Sequence, residues 1–400
     1  MYEDYRPKGR KFLLVVAVFA LSIVGANFYL KSGIEPPPPA VTPPLAEEAP
    51  IKELPARTTD VVQSGRSARA TSVATGFSIP WEVAFLPTGE MLVTERPGRL
   101  VKINGFDKLT AGGETRETIA VKGVRHSGEG GLLGLALHPD FASNNFVYLY
   151  FTAAKADGVV NKVVRYVLHS TVLVEDRIIL DEIPGSANHN GGRIAFGPDG
   201  LLYITTGDAG DASSAQDPYS LAGKILRVTA LGKVPPDNPF NNEVYSYGHR
   251  NPQGLAWDNL GRLWATEHGR SGLQSGYDEI NLIEKGANYG WPDIEGDETA
   301  EGMRAPVLHS GADTTWAPAG LVFHSGKLYW AGLRGAALYE AEITPEGKLT
   351  NPKSYFAEQF GRLRAVALGP DGLLYLSTSN TDGRGRLREG DDRIIKVGFE

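Results

Sequence analysis

FGPDGLLYITT at Phe196–Thr206 and LGPDGLLYLST at Leu368–Thr378 are one phrase written twice: an apolar lead-in, a tight turn, then a strand. Four variants of it follow the same plan. They are FLPTGEMLVT at Phe85–Thr94, HPDFASNNFVYLYFT at His138–Thr152, WDNLGRLWAT at Trp257–Thr266 and FHSGKLYWAG at Phe323–Gly332. Asp-Gly or its equivalent supplies the positive φ of a hairpin turn, and the β-branched and aromatic run after it suits a pleated strand. Recurrence at roughly 45–65 residues is the period of a propeller blade of about four short antiparallel strands. The six phrases therefore predict an all-β, six-bladed β-propeller. In such a fold ligands bind on loops at one end of the central channel.

The 400 residues include no cysteine, so neither a disulfide nor a thiolate enters the chemistry. Forty-eight glycines and 26 prolines suit a fold with many hairpins. A net charge of −7 argues against nucleic acid as a partner, which calls for a basic face. The N-terminus is of another kind. Lys8, Arg10 and Lys11 precede the apolar run Phe12–Leu30, whose 19 residues match a membrane-spanning helix. The basic flank predicts a cytoplasmic N-terminus and an exported remainder. A cleaved signal peptide processed near Val24-Gly25-Ala26 is the alternative. Clustered prolines between Glu35 and Pro50 read as an extended, semi-rigid spacer. The expected organisation is a cytoplasmic flank (1–11), a transmembrane helix or signal peptide (12–30), a Pro-rich linker (31–70) and the propeller (71–400), which is held at the outer face of the inner membrane, or free in the periplasm if the leader is removed.

Four polar, glycine-rich segments lie between strands. SANHNGGR at Ser186–Arg193 presents His189, a general base or a surface histidine. YGHRNPQG at Tyr247–Gly254 packs Arg250, Asn251 and Gln253 into one turn, for a ligand or for the turn itself. EHGR at Glu267–Arg270, YDEI at Tyr277–Ile280 and GANYGWP at Gly286–Pro292 combine carboxylates with loop carbonyls, the hard donors that Ca²⁺ takes, or else form a solvated acidic loop. FGRLRAV at Phe360–Val366 sets Arg362 and Arg364 two apart in an extended stretch, with Arg334 available from the preceding blade. Such guanidinium forks suit a polycarboxylate or phosphate, or ordinary surface ion pairs.

Together with GEGGLLGLALHPDF at Gly128–Phe141, these strings resemble the soluble quinoprotein glucose dehydrogenase and aldose sugar dehydrogenase family. GHRNPQGLAW and DEINLIEKGANYGWP are long and unusual, and the likeness runs in order from Pro80 to the end. The resemblance implies a six-bladed propeller carrying pyrroloquinoline quinone (PQQ) and Ca²⁺. It makes His189 the catalytic base toward the anomeric hydroxyl, and Arg250 and Asn251 the groups that hold the quinone oxygens. By the same likeness Arg334, Arg362 and Arg364 clamp the three cofactor carboxylates, with a weaker contact from Thr315. Carbonyls of Gly269 and Arg270 would bind a catalytic Ca²⁺, while Asp278, Glu279 and the carbonyl of Tyr289 would bind a structural one.

Glu129 departs from the pattern, standing where the family often has glutamine beside the cofactor. A carboxylate there must be protonated, paired with an arginine, or turned away. The function implied is oxidation of aldoses at C1 to lactones by a monomer that passes electrons to an external quinone or cytochrome. The competing readings are a calcium-dependent lactonase and a non-catalytic propeller binding glycan or protein. Fold alone cannot choose among them.

Overall fold

The computed structural model describes residues 62–63, 68–105, 115–272 and 275–399. The apolar run Phe12–Leu30 and nearly all of the Pro-rich linker lie outside these residues. Among the described residues no helix is long and apolar enough to cross a membrane.

The chain from Ala68 onward forms six antiparallel sheets of four strands arranged as propeller blades, as the six phrases predict. Blade one comprises Pro80–Phe85, Met91–Glu95, Arg99–Asn104 and Thr115–Ala120. Blade three runs Ile194–Phe196, Leu202–Thr206, Lys224–Val228 and Val244–Tyr247, and blade four Pro252–Trp257, Leu263–Glu267, Glu279–Ile283 and Leu308–His309. The first strands of successive blades pack on one another around a ring, that of blade six on that of blade one, except that Pro252–Trp257 of blade four meets the second strand of blade three, Leu202–Thr206. Each phrase spans the turn between a blade's first and second strands. The second strands Met91–Glu95, Leu202–Thr206, Leu263–Glu267 and Leu374–Thr378 are buried at every residue, because neighbouring blades cover both faces. That double cover explains why each opens on three apolar or aromatic residues in a row, with no polar alternation, before its closing polar pair.

The turns themselves show what the repeated glycine is for. Gly200 has φ +75° and Gly372 φ +75°, and a Cβ at either would meet open space, so conformation and not crowding selects glycine. In blade two the phrase lacks glycine, and the short helix Phe141–Asn144 ends on Asn145 at φ 55° instead.

The ring is closed by the two ends of the described chain. Ala68–Thr75 forms the outer strand of blade six beside Arg393–Phe399, in register from Ala68↔Phe399 to Thr75↔Arg393. The remaining strands of that blade, Leu363–Leu368 and Leu374–Thr378, come from the C-terminal part of the chain. Register places every phrase turn at one end of the ring, Phe196 facing Leu202 beside the turn and Ile194 facing Ile204 away from it. The loops between blades therefore gather at the opposite end, with those joining second to third strands. His189, Arg250, Arg270, Arg334 and Arg362 sit at that second end, and Gly286–Pro292, between the third and fourth strands of blade four, reaches it through Trp291, which bonds Asp208.

Removing residues 68–75 from the chain should strip blade six of its outer strand and leave Arg393–Phe399 as an unpaired edge. We expect a melting temperature lowered by about 10 °C or more and aggregation on gel filtration. A truncated chain that melts with the intact one would mean that this strand does not close the ring.

Candidate active site

His189 occupies the loop between blades two and three at φ 54°, a left-handed conformation costing a residue with a Cβ roughly 1–2 kcal/mol. The surroundings hold it there. Its N–H donates to Glu129 Oε2 at 3.0 Å, and its carbonyl accepts from Ala209 N at 3.2 Å. Gly207 lies against that carbonyl, which any Cβ at 207 would strike. Asn190 ties the loop down, its carbonyl accepting from Tyr150 Oη at 2.7 Å and its Oδ1 from Asn161 Nδ2 at 3.0 Å. Strain held by so many contacts is a usual property of a functional site.

The imidazole is oriented by a residue that sequence reasoning missed. His189 Nδ1 lies 2.8 Å from Asp208 Oδ1, with the His189 side chain 19 % exposed and Asp208 2 %. Burial alone raises the Asp208 carboxyl. The bonds to His189, to Gly210 N and to Trp291 Nε1 outweigh it and hold the group below the ordinary carboxylate range. A carboxylate on Nδ1 places the neutral ring's proton there and leaves Nε2 as the acceptor. Asp208 follows the blade-three phrase at two residues' distance, as Glu95 and Glu267 directly follow theirs. That repeated acid after the phrase was the available signal.

Glu129 resolves to the paired alternative. Its Oε1 forms an ion pair with Arg384 Nη1. Burial pushes the carboxyl up, but Arg384 and the His189 N–H dominate and bring it down to about 2, so it is ionised at neutral pH.

Arg250 and Asn251 come from the loop between blades three and four. The Arg250 N–H donates to Glu267 Oε1, its Nη2 reaches Ser271 Oγ at 3.1 Å, and its guanidinium lies 5.2 Å over the Trp291 ring. Asn251 Oδ1 accepts from Gly191 N at 3.0 Å, joining this loop to that of His189. Arg250 Nε, Asn251 Nδ2 and His268 Nε2 are enclosed without a hydrogen-bond partner. Buried polar atoms are normally satisfied, so these three point to a polar ligand. Burial pushes the His268 imidazole down to about 3, which leaves it neutral.

Arg362 and Arg364 do converge, and they meet on Asp382: Arg362 Nε at 2.9 Å and Arg364 Nη2 at 3.9 Å. Arg364 also reaches Gln253 Oε1 at 3.1 Å, and burial followed by the nearby Arg96 lowers it to about 9. Arg334 is exposed at the same cavity. A single cavity of about 360 Å³ is lined by His189, Glu129, Arg250, Gly269, Arg270, Thr315, Arg334, Arg362, Arg364, His268 and Arg384, above Trp81 and Leu133. Its wall counts six arginines against the carboxylates of Glu129 and Asp278. The volume falls within the ~300–1,000 Å³ of small-molecule sites.

The acidic segment divides differently from expectation. Asp278, expected as a metal ligand, is engaged by donors of the surrounding loops. Its Oδ1 accepts from Gly269 N at 2.9 Å; Oδ2 accepts from Thr315 Oγ1, Trp316 N and Ala317 N at 2.7, 2.6 and 2.9 Å. Three donors saturate Oδ2, whereas Oδ1 accepts one and keeps an acceptor site. Thr315 is accordingly turned to Asp278 by its hydroxyl. Glu279 stands directly opposite Glu267 across the ladder, and burial together with that like charge raises its carboxyl well above the usual range. A second cavity of about 10 Å³, room for roughly one water or ion, touches Glu267, Glu279, Tyr289, Gly269 and Arg270. Among the described residues no cluster of three His, Cys, Asp or Glu side chains could hold a metal.

A carboxylate-held histidine at an arginine-walled cavity on a propeller axis defines an enzyme site for an anionic small molecule. The glucose/sorbosone dehydrogenase signature matches residues 77–389, and the chain belongs to that family of enzymes. It is 33 % identical over 341 residues to the aldose sugar dehydrogenase YliI of Escherichia coli K12, covering 76 % of this chain and 88 % of that one. The PQQ-bound aldose sugar dehydrogenase of Streptomyces coelicolor superposes with a TM-score of 0.75 at 42 % identity, over 84 % of this chain and 99 % of the other. A glucose dehydrogenase-type oxidoreductase of Thermus thermophilus gives a TM-score of 0.77 at 45 % identity, covering 83 % and 100 %.

Asp278→Asn keeps the volume but turns one of the two acceptor oxygens into a donor that faces an N–H or O–H group. Each buried donor left without its acceptor costs about 1–3 kcal/mol. The variant should melt well below the parent by calorimetry; an unchanged melting temperature would show that water replaces the carboxylate.

Proposed function

We propose that this chain is a PQQ- and calcium-dependent aldose sugar dehydrogenase that oxidises the C1 hydroxyl to a lactone, with His189 as the base. The observation that carries the reading is the meeting of a histidine held by Asp208 with six arginines at one cavity. The fit to a flat tricarboxylate is supported by that charge excess and by the enclosed, unpartnered Asn251 Nδ2 and Arg250 Nε. The relative from Streptomyces coelicolor that binds PQQ adds to it. A lactonase calls for side-chain oxygens around a metal in the channel, not for arginines.

In this reading Arg334, Arg362 and Arg364 take the cofactor's carboxylates, while Arg250 and Asn251 face its quinone oxygens. When bound, the quinone supplies the two-electron acceptor for the hydride that leaves C1. The protein's part is positional and protic. His189 Nε2 accepts the proton of the anomeric hydroxyl as the C1–H bond breaks, and the imidazolium so formed is stabilised by ionised Asp208 on the other nitrogen. Arg250, desolvated over Trp291, would offset the negative charge that grows on the quinone oxygens. Trp81 and Leu133 form the apolar floor.

Two calcium ions belong to the proposal. One uses the carbonyls of Gly269 and Arg270, which line the large cavity. The other uses Glu279 and the Tyr289 carbonyl beside the small cavity, where a cation would relieve the opposition of Glu267 and Glu279. The remaining parts rest on sequence alone: an anchor at Phe12–Leu30, a periplasmic propeller, a monomeric state and an external quinone or cytochrome as acceptor.

Purified protein reconstituted with PQQ and Ca²⁺ should change its absorbance on adding an aldose. His189→Gln should keep the fold and bind PQQ but lose turnover by about 10²–10⁴-fold. Turnover within threefold of the parent would mean that another group takes the proton.

Chelation should abolish turnover and also lower the melting temperature, because an ion bound only by the native state stabilises it by mass action. Glu279→Gln should melt lower in calcium and respond less to chelator, with the turnover of the folded fraction retained. Melting curves identical to the parent's, with and without chelator, would remove the structural ion from the proposal.

A further inference from the structure

Arg384 lies in the loop Ser379–Asp392 between the second and third strands of blade six, a segment that none of the singled-out motifs includes. It crosses 255 residues of sequence to reach Glu129 Oε1, and its Nη2 donates to Asn188 Oδ1 at 3.3 Å. One guanidinium thus grips both the carboxylate that holds the His189 N–H and the residue that precedes His189. Two positions earlier, Asp382 Oδ1 accepts from Arg384 N at 2.9 Å, while its Oδ2 pairs with Arg362. Charges alternate along the cavity wall from Arg362 through Asp382 and Arg384 to Glu129, and the series ends on the backbone of His189.

We propose that this loop is a charge strap across the cavity and that Arg384 is a positioning residue, which holds His189 through Glu129 and neutralises a carboxylate that would otherwise repel an anionic cofactor. The proposal rests on the functional reading above. The strap is rooted before any ligand arrives. Asp392 accepts from Thr378 Oγ1 at 2.9 Å and Asn380 N at 2.6 Å, and Asn380 Nδ2 donates to the Phe360 carbonyl at 2.8 Å. An exposed ion pair alone contributes little, and the Arg384 side chain is 56 % exposed. Its partner is different: Glu129 is only 19 % exposed and stands in the wall of a site built for anions. Arg384 therefore acts through charge and orientation, not through packing.

Glutamine at 129 separates the two roles, because its Oε1 still accepts from His189 N–H but carries no charge. Three variants are compared with the parent: Arg384→Ala, Glu129→Gln, and the two combined. Titration of the quinone-free protein with PQQ should show roughly tenfold weaker binding for Arg384→Ala, returning to within about threefold of the parent in the combined variant. Amide hydrogen exchange of residues 186–192, read without quinone, should be faster in Arg384→Ala alone. If the parent itself fails to bind PQQ, the functional reading falls, and exchange in the loop still decides the strap. Arg384→Ala matching the parent in both binding and exchange overturns the proposal. So does a combined variant as impaired as Arg384→Ala.

Discussion

Six inter-blade loops crowd one end of this ring, and their backbone N–H groups have no strand to pair with. Buried carboxylates supply the missing acceptors, and the rest of the site depends on that exchange. Asp278 takes two backbone N–H groups from Trp316 and Ala317 and a third from Gly269. Asp392 takes Asn380 N, Glu95 takes Ser78 N at 2.6 Å, Glu267 takes Arg250 N, and Glu129 takes His189 N. An ionised acceptor bonds about twice as strongly as a neutral one, so each loop is held in one conformation. Removal of one such acid leaves several buried donors unmade together.

Carboxylates at a channel mouth also set a sign of potential, and the arginines reverse it. Arg362 and Arg364 both meet Asp382, Arg384 meets Glu129, and Arg270 Nε pairs with Glu295 at 2.9 Å. The acids orient these guanidinium groups by one edge and leave their remaining donors for a ligand. A chain with net charge −7 thereby presents a cationic cavity. Burial then tunes the members apart. Desolvation lowers Arg364 and keeps His268 neutral, whereas Asp208 stays ionised beside His189 because three donors offset its burial.

The pairing of Glu267 with Glu279 has another logic. Opposed acids on adjacent strands are destabilising, and this pair, Glu267 buried and Glu279 half-buried, stands beside a space for one small ion. Either a proton or a cation must offset it. The neighbouring His249, stacked on Tyr289 at 4.7 Å between ring centroids, donates toward Glu267 but not toward Glu279. Glu279 accepts instead from Asn281 Nδ2 at 3.1 Å, so the two acids are held by different donors.

The amino-acid sequence by itself determined the architecture, because a turn-and-strand phrase is local chemistry: Gly200 needs its positive φ wherever the chain folds it. It also determined the candidates His189, Arg250, Asn251, Arg362 and Arg364, since runs of polar and glycine residues between strands are visible without contacts. Only the tertiary structure decided who partners whom. Asp208 reaches His189 across 19 residues, Thr315 reaches Asp278 across 37, and Arg384 reaches Glu129 across 255. Such pairs have no spacing rule, because closing the ring, not the run of the backbone, brings blade six against blades one and two. For the same reason Asp278 and Glu279, adjacent in the sequence, part company: successive residues at a strand's start face opposite sides, one into loop amides at the large cavity and one toward the small cavity.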